Sequence, residues 1–311
     1  MRCLLRTSDL SIDDLESLME LSALFKRRPG HCPQVFSHDT VVLYLQRPST
    51  RTRLSFETAV ARLGGTPLQL GPTDFQLGGG ETPEDAARTI SRYAAAFVAR
   101  TDSDEELGRF AAASSIPVVN ALTSVHHPMQ SLADLMTLWE RFGELDQLPV
   151  AYVGDGNNVC HSLMEVSAMA GVQLTVATPP GYEPEAEVVA SAAALADKIG
   201  ARLTVITDPE EAVAGARVVY TGPWLSADSR EAERTRRRSD FATFQVNERL
   251  MNLADPEAIF MHCLPYHRGE EVTAGVMDGP QSVVFDQTEN TLHTAVAVLY
   301  ALAEELLVGA G

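Results

Sequence analysis

The chain has 311 residues, of which 45% are hydrophobic, so it is long enough to form two domains with substantial cores. Its formal net charge of -18 at pH 7 argues against non-specific binding to nucleic acid or to an anionic membrane. It has no apolar run long enough to span a membrane and no N-terminal signal segment, so we expect a cytoplasmic protein. The four cysteines are scattered without metal or disulfide spacing, and neither a metal nor a cofactor is expected.

Short apolar runs alternate with helical patterns along most of the chain, which predicts parallel α/β sheets. Strands are predicted at residues 41–45, 96–99, 117–120, 149–153, 174–177, 202–206, 217–220, 259–261 and 282–285. Helices are predicted mainly at residues 82–93, 129–142, 158–170, 184–199 and 291–308. We therefore predict an α/β fold of two domains, each with a parallel β-sheet flanked by helices. The expected domains are residues 1–134 with 291–311, and residues 135–290.

A strand-to-helix junction of unusual composition follows the first predicted strand. It reads Ser-Thr-Arg-Thr-Arg from Ser49 to Arg53, and a helical pattern follows it. Free backbone N–H groups and the positive end of the helix dipole point into such a junction. Together with hydroxyl and guanidinium groups they favour a doubly charged, oxygen-rich anion, most simply a phosphate. The alternative is an ordinary capped helix with solvated arginines.

Two further polar groups follow predicted strands, where open α/β sheets bind ligands. Arg100 closes the strand at 96–99, although strand ends often carry a solvated arginine. The segment His127-Pro128-Met129-Gln130 begins a helix and holds an imidazole and a carboxamide, which can bind a carbonyl or an amide. Its alternative is a helix cap beside a surface histidine pair. A metal site is disfavoured, because adjacent histidines diverge.

These motifs, in this order and spacing, resemble those of the aspartate/ornithine carbamoyltransferases. In the second half of the chain, Gly154-Asp155-Gly156-Asn157-Asn158 and His262-Cys263-Leu264-Pro265 resemble the ornithine enzymes of that family. The resemblance extends over nearly the whole chain. It implies that the first domain binds carbamoyl phosphate and that the second binds an amine.

The resemblance also implies roles for individual residues. The phosphate would be bound by Ser49, Thr50, Arg51 and Thr52. The carbamoyl group would be bound by Arg100, His127, Gln130, Cys263, Leu264 and Thr291. Arg51, Arg100, His127 and Cys263 would be the catalytic residues, acting by positioning and charge stabilisation as the amine attacks and phosphate leaves. Cys263 would be a polar contact rather than a nucleophile, with a buried structural thiol as the alternative.

The chain departs from the ornithine pattern where the acceptor would bind. The resemblance assigns acceptor binding to Asn158, Gly222, Ser226, Ala227 and Asp228. The family motif is Asp-x-Trp-x-Ser-Met-Gly. This chain has Gly222 where the motif has Asp, Ala227 where it has Met and Asp228 where it has Gly. An arginine that contacts the carbamoyl oxygen is replaced by Thr291, which brings a hydroxyl without charge.

Three functions are compatible with these departures. We favour a carbamoyltransferase with a non-ornithine acceptor. Five arginines at 230–238, in a segment predicted to be a flexible loop, suggest an anionic amine, although a solvated segment is the alternative. The other two functions are an ornithine carbamoyltransferase that makes citrulline, and a non-catalytic binding or regulatory protein. A dinucleotide-dependent oxidoreductase is disfavoured, because Val159 stands where the fingerprint needs a third glycine.

The resemblance further implies a homotrimer. In the family each active site is completed by a loop from the neighbouring subunit, and the matching segment here is 76–81. Its three glycines fit a mobile loop.

Overall fold

We describe a computed structural model of the chain, which covers residues 2–74, 80–225 and 231–309. Contacts divide the chain into two compact units, Met1–Met136 with Glu289–Gly311, and Thr137–Thr288. The assignment of residues 1–134 with 291–311 to carbamoyl phosphate, and of 135–290 to the amine, stays a prediction.

The elements alternate along the chain much as expected. The strands are β1 (Cys3–Leu4), β2 (Thr40–Leu45), β3 (Thr66–Leu70), β4 (Ala96–Arg100), β5 (Val118–Leu122), β6 (Pro149–Val153), β7 (Gln173–Ala177), β8 (Leu203–Ile206), β9 (Val218–Thr221) and β10 (Ile259–His262). The α-helices are α1 (Ile12–Arg27), α2 (Thr50–Arg62), α3 (Pro83–Ile90), α4 (Asp104–Ala113), α5 (Pro128–Phe142), α6 (Asn158–Met169), α7 (Ala186–Ile199), α8 (Pro209–Val213), α9 (Glu231–Asp240), α10 (Glu248–Met251), α11 (Ala274–Met277) and α12 (Val284–Ala303). Short 3-10 helices lie at Thr7–Asp9, Pro29–His31 and Ala242–Phe244.

Each unit is built on a five-stranded parallel sheet, in the order β1-β5-β4-β2-β3 in the first and β10-β9-β6-β7-β8 in the second. Helices connect the strands, so the predicted fold class is confirmed. The central strands are continuous apolar runs because both faces of a parallel sheet are covered. In the first unit, for example, the ring of Phe97 stacks on that of Phe110 with 4.2 Å between centroids.

Two sequence predictions are wrong in detail. Residues 282–285 do not form a strand, because α12 begins at Val284 and only Ser282 bridges β10. The segment 230–240 is not a loop where it is described, because Glu231–Asp240 is helix α9. Its acidic residues lie in the first turn and Arg237 and Arg238 in the last, which suits the helix dipole.

Two strands had not been predicted from the sequence. β1 is only two residues long, and β3 lies at the sheet edge with mostly exposed side chains, so neither gives a buried apolar run. Pro67 is tolerated in β3 because an edge strand has one side without a neighbouring strand. No helix within the described ranges has both the length and the apolar content to cross a bilayer.

Candidate active site

The Ser-Thr-Arg-Thr-Arg junction forms the N-terminus of α2. Ser49 is the N-cap residue, and its hydroxyl accepts from the Thr52 backbone N–H at 3.4 Å and donates to the Thr52 hydroxyl at 2.9 Å. Thr50, Arg51 and Thr52 form the first turn, whose backbone N–H groups have no intrahelical acceptors. The structure confirms the strand-to-helix junction, whose geometry is of the kind that favours an anion, while the phosphate site itself stays a prediction.

Arg100 lies beside this helix start. β2 and β4 are neighbours in the sheet and Leu45 pairs with Arg100, so the carboxyl ends of both strands reach the same edge. The Arg100 Nη1 lies 3.5 Å from the Thr52 hydroxyl and donates to it. The structure thus brings Arg100 next to the predicted phosphate loop, although Thr52 and Arg100 are 48 residues apart in the chain.

His127 caps the start of α5 near the same arginines. Its carbonyl accepts from the backbone N–H groups of Gln130 at 3.0 Å and Ser131 at 3.3 Å, and Pro128 fills the first helical position. Burial, together with the positive charges of Arg100 and Arg51, lowers the pKa of His127 to about 3. The imidazole is therefore neutral near pH 7, and it can donate one N–H to a carbonyl oxygen without carrying charge itself.

Gln130 is held one turn further along α5. Its side chain is buried, and its amide nitrogen donates to Asp134 Oδ1 at 2.8 Å. When a carboxamide donates through its nitrogen, its carbonyl oxygen can still accept a hydrogen bond from an N–H donor, such as an amide NH2. His127 and Gln130 thus offer a donor and an acceptor of the kind that a carbamoyl group requires.

Two arginines that flank the start of α2, Arg53 and Arg47, form ion pairs with carboxylates of the protein. Arg53 forms an ion pair with Glu57 one turn along α2, at 2.8 Å, with 55% of its side chain exposed. Arg47 pairs with Asp102 at 2.9 Å on the surface. Arg51, the other arginine of the Ser-Thr-Arg-Thr-Arg loop, helps to lower the pKa of His127. Thr291 belongs to the same unit, within α12, where its carbonyl accepts from Thr294 at 3.4 Å.

The second unit holds Asn158, Gly222, Cys263 and Leu264 in the segments that follow β6, β9 and β10. After β6, Asn157 caps α6 by accepting from the backbone N–H of Val159 at 3.0 Å, and Asn158 is the first residue of that helix. A Cβ at Gly156 would lie 2.3 Å from the Pro184 nitrogen. The glycine in this loop is therefore explained by close packing rather than by a dinucleotide phosphate.

Gly222 lies next to Cys263. A Cβ at Gly222 would meet the Tyr152 hydroxyl at 3.3 Å and the Cys263 Sγ at 3.7 Å. A side chain at this position would therefore occupy space directly beside the thiol, which is itself partly exposed. The residue at position 222 therefore helps to define the immediate surroundings of Cys263. Ser226, Ala227 and Asp228 lie outside the described residues.

The turn that carries Cys263 and Leu264 is fixed by a buried histidine. The backbone N–H of Leu264 donates to His262 Nδ1 at 2.8 Å, and His262 Nε2 lies 3.3 Å from the buried Glu271 carboxylate. Leu264 has a φ of 54°, and its peptide bond to Pro265 is cis. Because Nδ1 accepts a backbone N–H, the imidazole proton is on Nε2.

One residue of this unit was missed by sequence reasoning. Arg237, in α9, forms an ion pair with Asp155 at 2.9 Å and donates to the Trp224 carbonyl at 2.9 Å. Its neighbour Arg238 pairs with Glu270 at 2.7 Å. Two of the five arginines at 230–238 thus have carboxylate partners within the protein, which weakens the argument for an anionic acceptor. The sequence signal was the helical spacing of Glu233 and Arg237, which the arginine run obscured.

One group of side chains has a composition that could bind a metal. Ligand atoms of His267, Glu270 and Glu271 lie within 4.8 Å of one another. Glu270 already pairs with Arg238, and Glu271 accepts from the His267 backbone N–H at 2.6 Å. Since both carboxylates have protein partners, the chemistry of this group does not call for a metal ion.

Comparison with known proteins agrees with this geometry. The sequence matches the carbamoyl-P binding domain of aspartate/ornithine carbamoyltransferase over residues 2–140 and its Asp/Orn binding domain over residues 146–302. It is 46% identical to an ornithine carbamoyltransferase of Acidothermus cellulolyticus over 303 residues, covering 97% of each chain. It is 48% identical to one of Symbiobacterium thermophilum over 293 residues, covering 94% of each.

Solved structures show the same likeness. The ornithine carbamoyltransferase structure from Pyrococcus furiosus superposes with a TM-score of 0.92 at 44% identity, covering 97% of this chain and 96% of that one. The fold and the two family matches together define a two-domain transferase, and the chain belongs to the aspartate/ornithine carbamoyltransferase family. It is a carbamoyltransferase, as the motifs predicted.

Proposed function

We propose that this enzyme transfers the carbamoyl group of carbamoyl phosphate to the side-chain amine of ornithine, releasing phosphate and forming citrulline. The proposal rests on sequence similarity: relatives that are 44% to 48% identical over nearly the whole chain are named ornithine carbamoyltransferases. This reverses the preference for a non-ornithine acceptor that the Gly222 and Thr291 departures suggested. Carbamoyl transfer itself is common to both hypotheses.

The first unit supports binding of the donor. The N–H groups in the first turn of α2, the Ser49 and Thr52 hydroxyls and the Arg51 guanidinium together suit a phosphate dianion. Arg100 and neutral His127 would donate to the carbamoyl oxygen, and Gln130 would accept from its NH2 group. As the amine attacks, negative charge grows on the carbamoyl oxygen, and these donors would stabilise it.

The second unit supports binding of the acceptor. Asn158 and the motif around Gly222 would hold the amino-acid end of the substrate, while Cys263 and the Leu264 carbonyl would contact the reacting groups. The amine nitrogen forms the new C–N bond and the C–O bond to phosphate breaks. The leaving phosphate can accept the proton that the amine loses. The protein contributes orientation and charge stabilisation rather than a covalent intermediate.

A second candidate is transfer to a different small amine. Gly222 favours this candidate, because the family motif has a carboxylate at this position beside Cys263. Without that carboxylate, the α-ammonium group of ornithine lacks an ion-pair partner there. A hydrogen bond between charged groups contributes about 1.5–3 kcal/mol, which corresponds to roughly tenfold or more in affinity. An acceptor without that ammonium group would lose nothing from the substitution.

Steady-state phosphate release decides between these candidates. The assay uses carbamoyl phosphate with ornithine, lysine, putrescine, diaminopropionate, acylated ornithine and a phosphorylated amine, with an amine-free blank. We expect ornithine to give the largest kcat/KM, and Gly222→Asp to raise it further by about tenfold, because the added carboxylate can pair with the ammonium group. Another amine with a kcat/KM about 100-fold above that of ornithine would favour the second candidate. Binding of carbamoyl phosphate without turnover of any amine would overturn both.

A homotrimer with shared active sites is also proposed. The family resemblance supports it, as do two large apolar side chains exposed in the first unit, Leu54 and Leu68, at 60% and 47%. Most of the predicted crossing segment 76–81 lies outside the described residues. We expect light scattering at micromolar concentration to give about three times the chain mass of 33.7 kDa. A mass of one chain would contradict the proposal.

A further inference from the structure

Arg237 connects two loops that follow neighbouring strands of the second unit. Its Nη1 donates to Asp155 Oδ2 and to the Trp224 carbonyl, both at 2.9 Å. Asp155 follows β6 and Trp224 follows β9, and these two strands pair in the sheet. One guanidinium therefore fixes the distance between the loop that leads to Asn158 and the loop that begins at Gly222.

The surroundings of Arg237 restrict its side chain further. Its guanidinium lies over the Tyr182 ring, 4.9 Å from the centroid, and 6.0 Å from the centroid of Phe241. Only 20% of the Arg237 side chain and 16% of the Asp155 side chain are exposed. Nε also faces Glu233 at 3.3 Å, one turn earlier in α9. Few rotamers satisfy these contacts together, so the position of Arg237 is well defined.

Stability alone is a poor explanation for this arrangement. Burying two charges costs desolvation energy that their attraction often only balances, so a buried ion pair is weak evidence for stabilisation. Burial raises the pKa of Asp155, and Arg237 opposes that rise. The spacing that this pair imposes on the two loops explains the arrangement better.

We propose that Arg237 is a positioning residue for the acceptor amine. By holding Asp155 and the Trp224 carbonyl together, it sets the spacing of the two loops that bind the acceptor. The inference rests on the proposed function, because that function assigns Asn158 and the motif after Gly222 to acceptor binding. It holds for ornithine and for any other amine, because it concerns how the loops are held rather than which groups they present.

The chain offers a matched control in the next residue. Arg238 lies in the same turn of α9, carries the same charge and forms an ion pair with Glu270 at 2.7 Å, with 48% of its side chain exposed. Both Nε and Nη2 of Arg238 donate to Glu270 Oε1, at 3.2 and 2.7 Å, whereas Arg237 donates to Asp155 and Trp224. Arg238→Met therefore reproduces the loss of charge and the shortening of the side chain without releasing the loops.

The kinetic test compares Arg237→Met, Asp155→Asn, Arg237→Lys and Arg238→Met, using the amine that the wild-type enzyme turns over best. Arg237→Met and Asp155→Asn are expected to raise KM for the amine by about tenfold or more, with KM for carbamoyl phosphate within about twofold of wild type. Arg237→Lys should recover part of the loss, because it keeps the charge but not the planar fork. Arg238→Met should behave like wild type.

Hydrogen exchange gives a second readout that does not depend on turnover. Arg237→Met should speed amide exchange in residues 154–158 and 222–225 while the remaining peptides of the second unit exchange as before, and Arg238→Met should change neither segment. Unchanged exchange in both segments overturns the inference even if the enzyme is inactive. Equal increases in both KM values, or lower thermal stability with unchanged KM values, also overturn it, since they indicate a general structural role. A wild-type enzyme that turns over no amine contradicts the proposed function instead.

Discussion

Arg51→Met is expected to lower kcat/KM for carbamoyl phosphate by on the order of 10³-fold, with the fold retained. Arg51 lies in the first turn of α2, beside the Ser49 and Thr52 hydroxyls. In the proposed site its guanidinium would bring a full positive charge to the phosphate, which the hydroxyls and backbone N–H groups do not. Removing a formal positive charge from a partly buried site weakens the binding of a doubly charged ligand strongly, because the neutral donors that remain cannot balance the ligand's charge. Initial rates of phosphate release at varied carbamoyl phosphate measure the effect.

Arg53→Met is the control for this variant. Arg53 lies two residues later on the same helix, but its guanidinium pairs with Glu57 at 2.8 Å on an exposed surface. Its removal costs an exposed ion pair worth under about 1 kcal/mol, so we expect kcat/KM within about threefold of wild type. Equal losses in the two variants would show that the net charge of the helix matters and that Arg51 has no specific role.

His127→Ala is expected to lower kcat by about 10²–10³-fold, with His126→Ala as the neighbouring control that retains activity. The imidazole would donate to the carbamoyl oxygen as that oxygen becomes negative, so its loss affects the transition state more than the bound substrate. A variant whose KM for carbamoyl phosphate rises while its kcat stays unchanged would contradict this role.

The low pKa of His127 makes a separate prediction about pH. Burial and the guanidinium groups of Arg100 and Arg51 lower this pKa to about 3, so the imidazole stays neutral through the usual assay range. Since the pKa of an unperturbed histidine is near 6.5, the unfolded chain binds this proton at higher pH than the folded chain does. The corresponding stability is fully present above about pH 6.5 and is lost as pH falls toward about 3.

Comparison of wild type with His127→Asn isolates this effect. The difference between their unfolding free energies should shift against wild type as the pH is lowered from about 7 to about 4, measured by urea denaturation. Wild-type kcat should show no inflection from His127 near pH 6.5. An inflection there that disappears in His127→Asn would mean that the imidazole titrates normally.

Much of the donor half of the site could be predicted from the sequence. Ser49, Thr50, Arg51 and Thr52 are contiguous, and a strand-to-helix junction has a fixed local geometry, so their arrangement follows from the chain itself. Arg100 and His127 were recognised by their places after apolar strands, because parallel strands align their carboxyl ends. The pKa of His127 was not predictable, since it depends on burial and on two arginines distant in sequence.

The errors have identifiable physical causes. Residues 282–285 are as apolar as a strand, but only Ser282 pairs with β10, and the chain then turns into α12. The segment 231–240 has few apolar residues, so it lacks the apolar periodicity that marks most helices. Tertiary contacts of Arg237 with Asp155, Tyr182 and Trp224 hold it in place. Contacts of this kind are long-range and leave no periodic signal.

By itself the sequence determined the fold class, the family and the strand-to-helix junction at Ser49–Arg53, because these depend on local patterns: apolar runs of strand length, caps and a contiguous polar segment. Only the tertiary structure decided that Gly222 lies beside Cys263. It also decided that Arg53 pairs with Glu57, whereas Arg51 acts on His127. Finally, it showed that Arg237 joins the loops after β6 and β9. These contacts depend on strand order and packing. No local sequence pattern specifies that β6 lies beside β9, because that neighbourhood is set by contacts between distant parts of the chain.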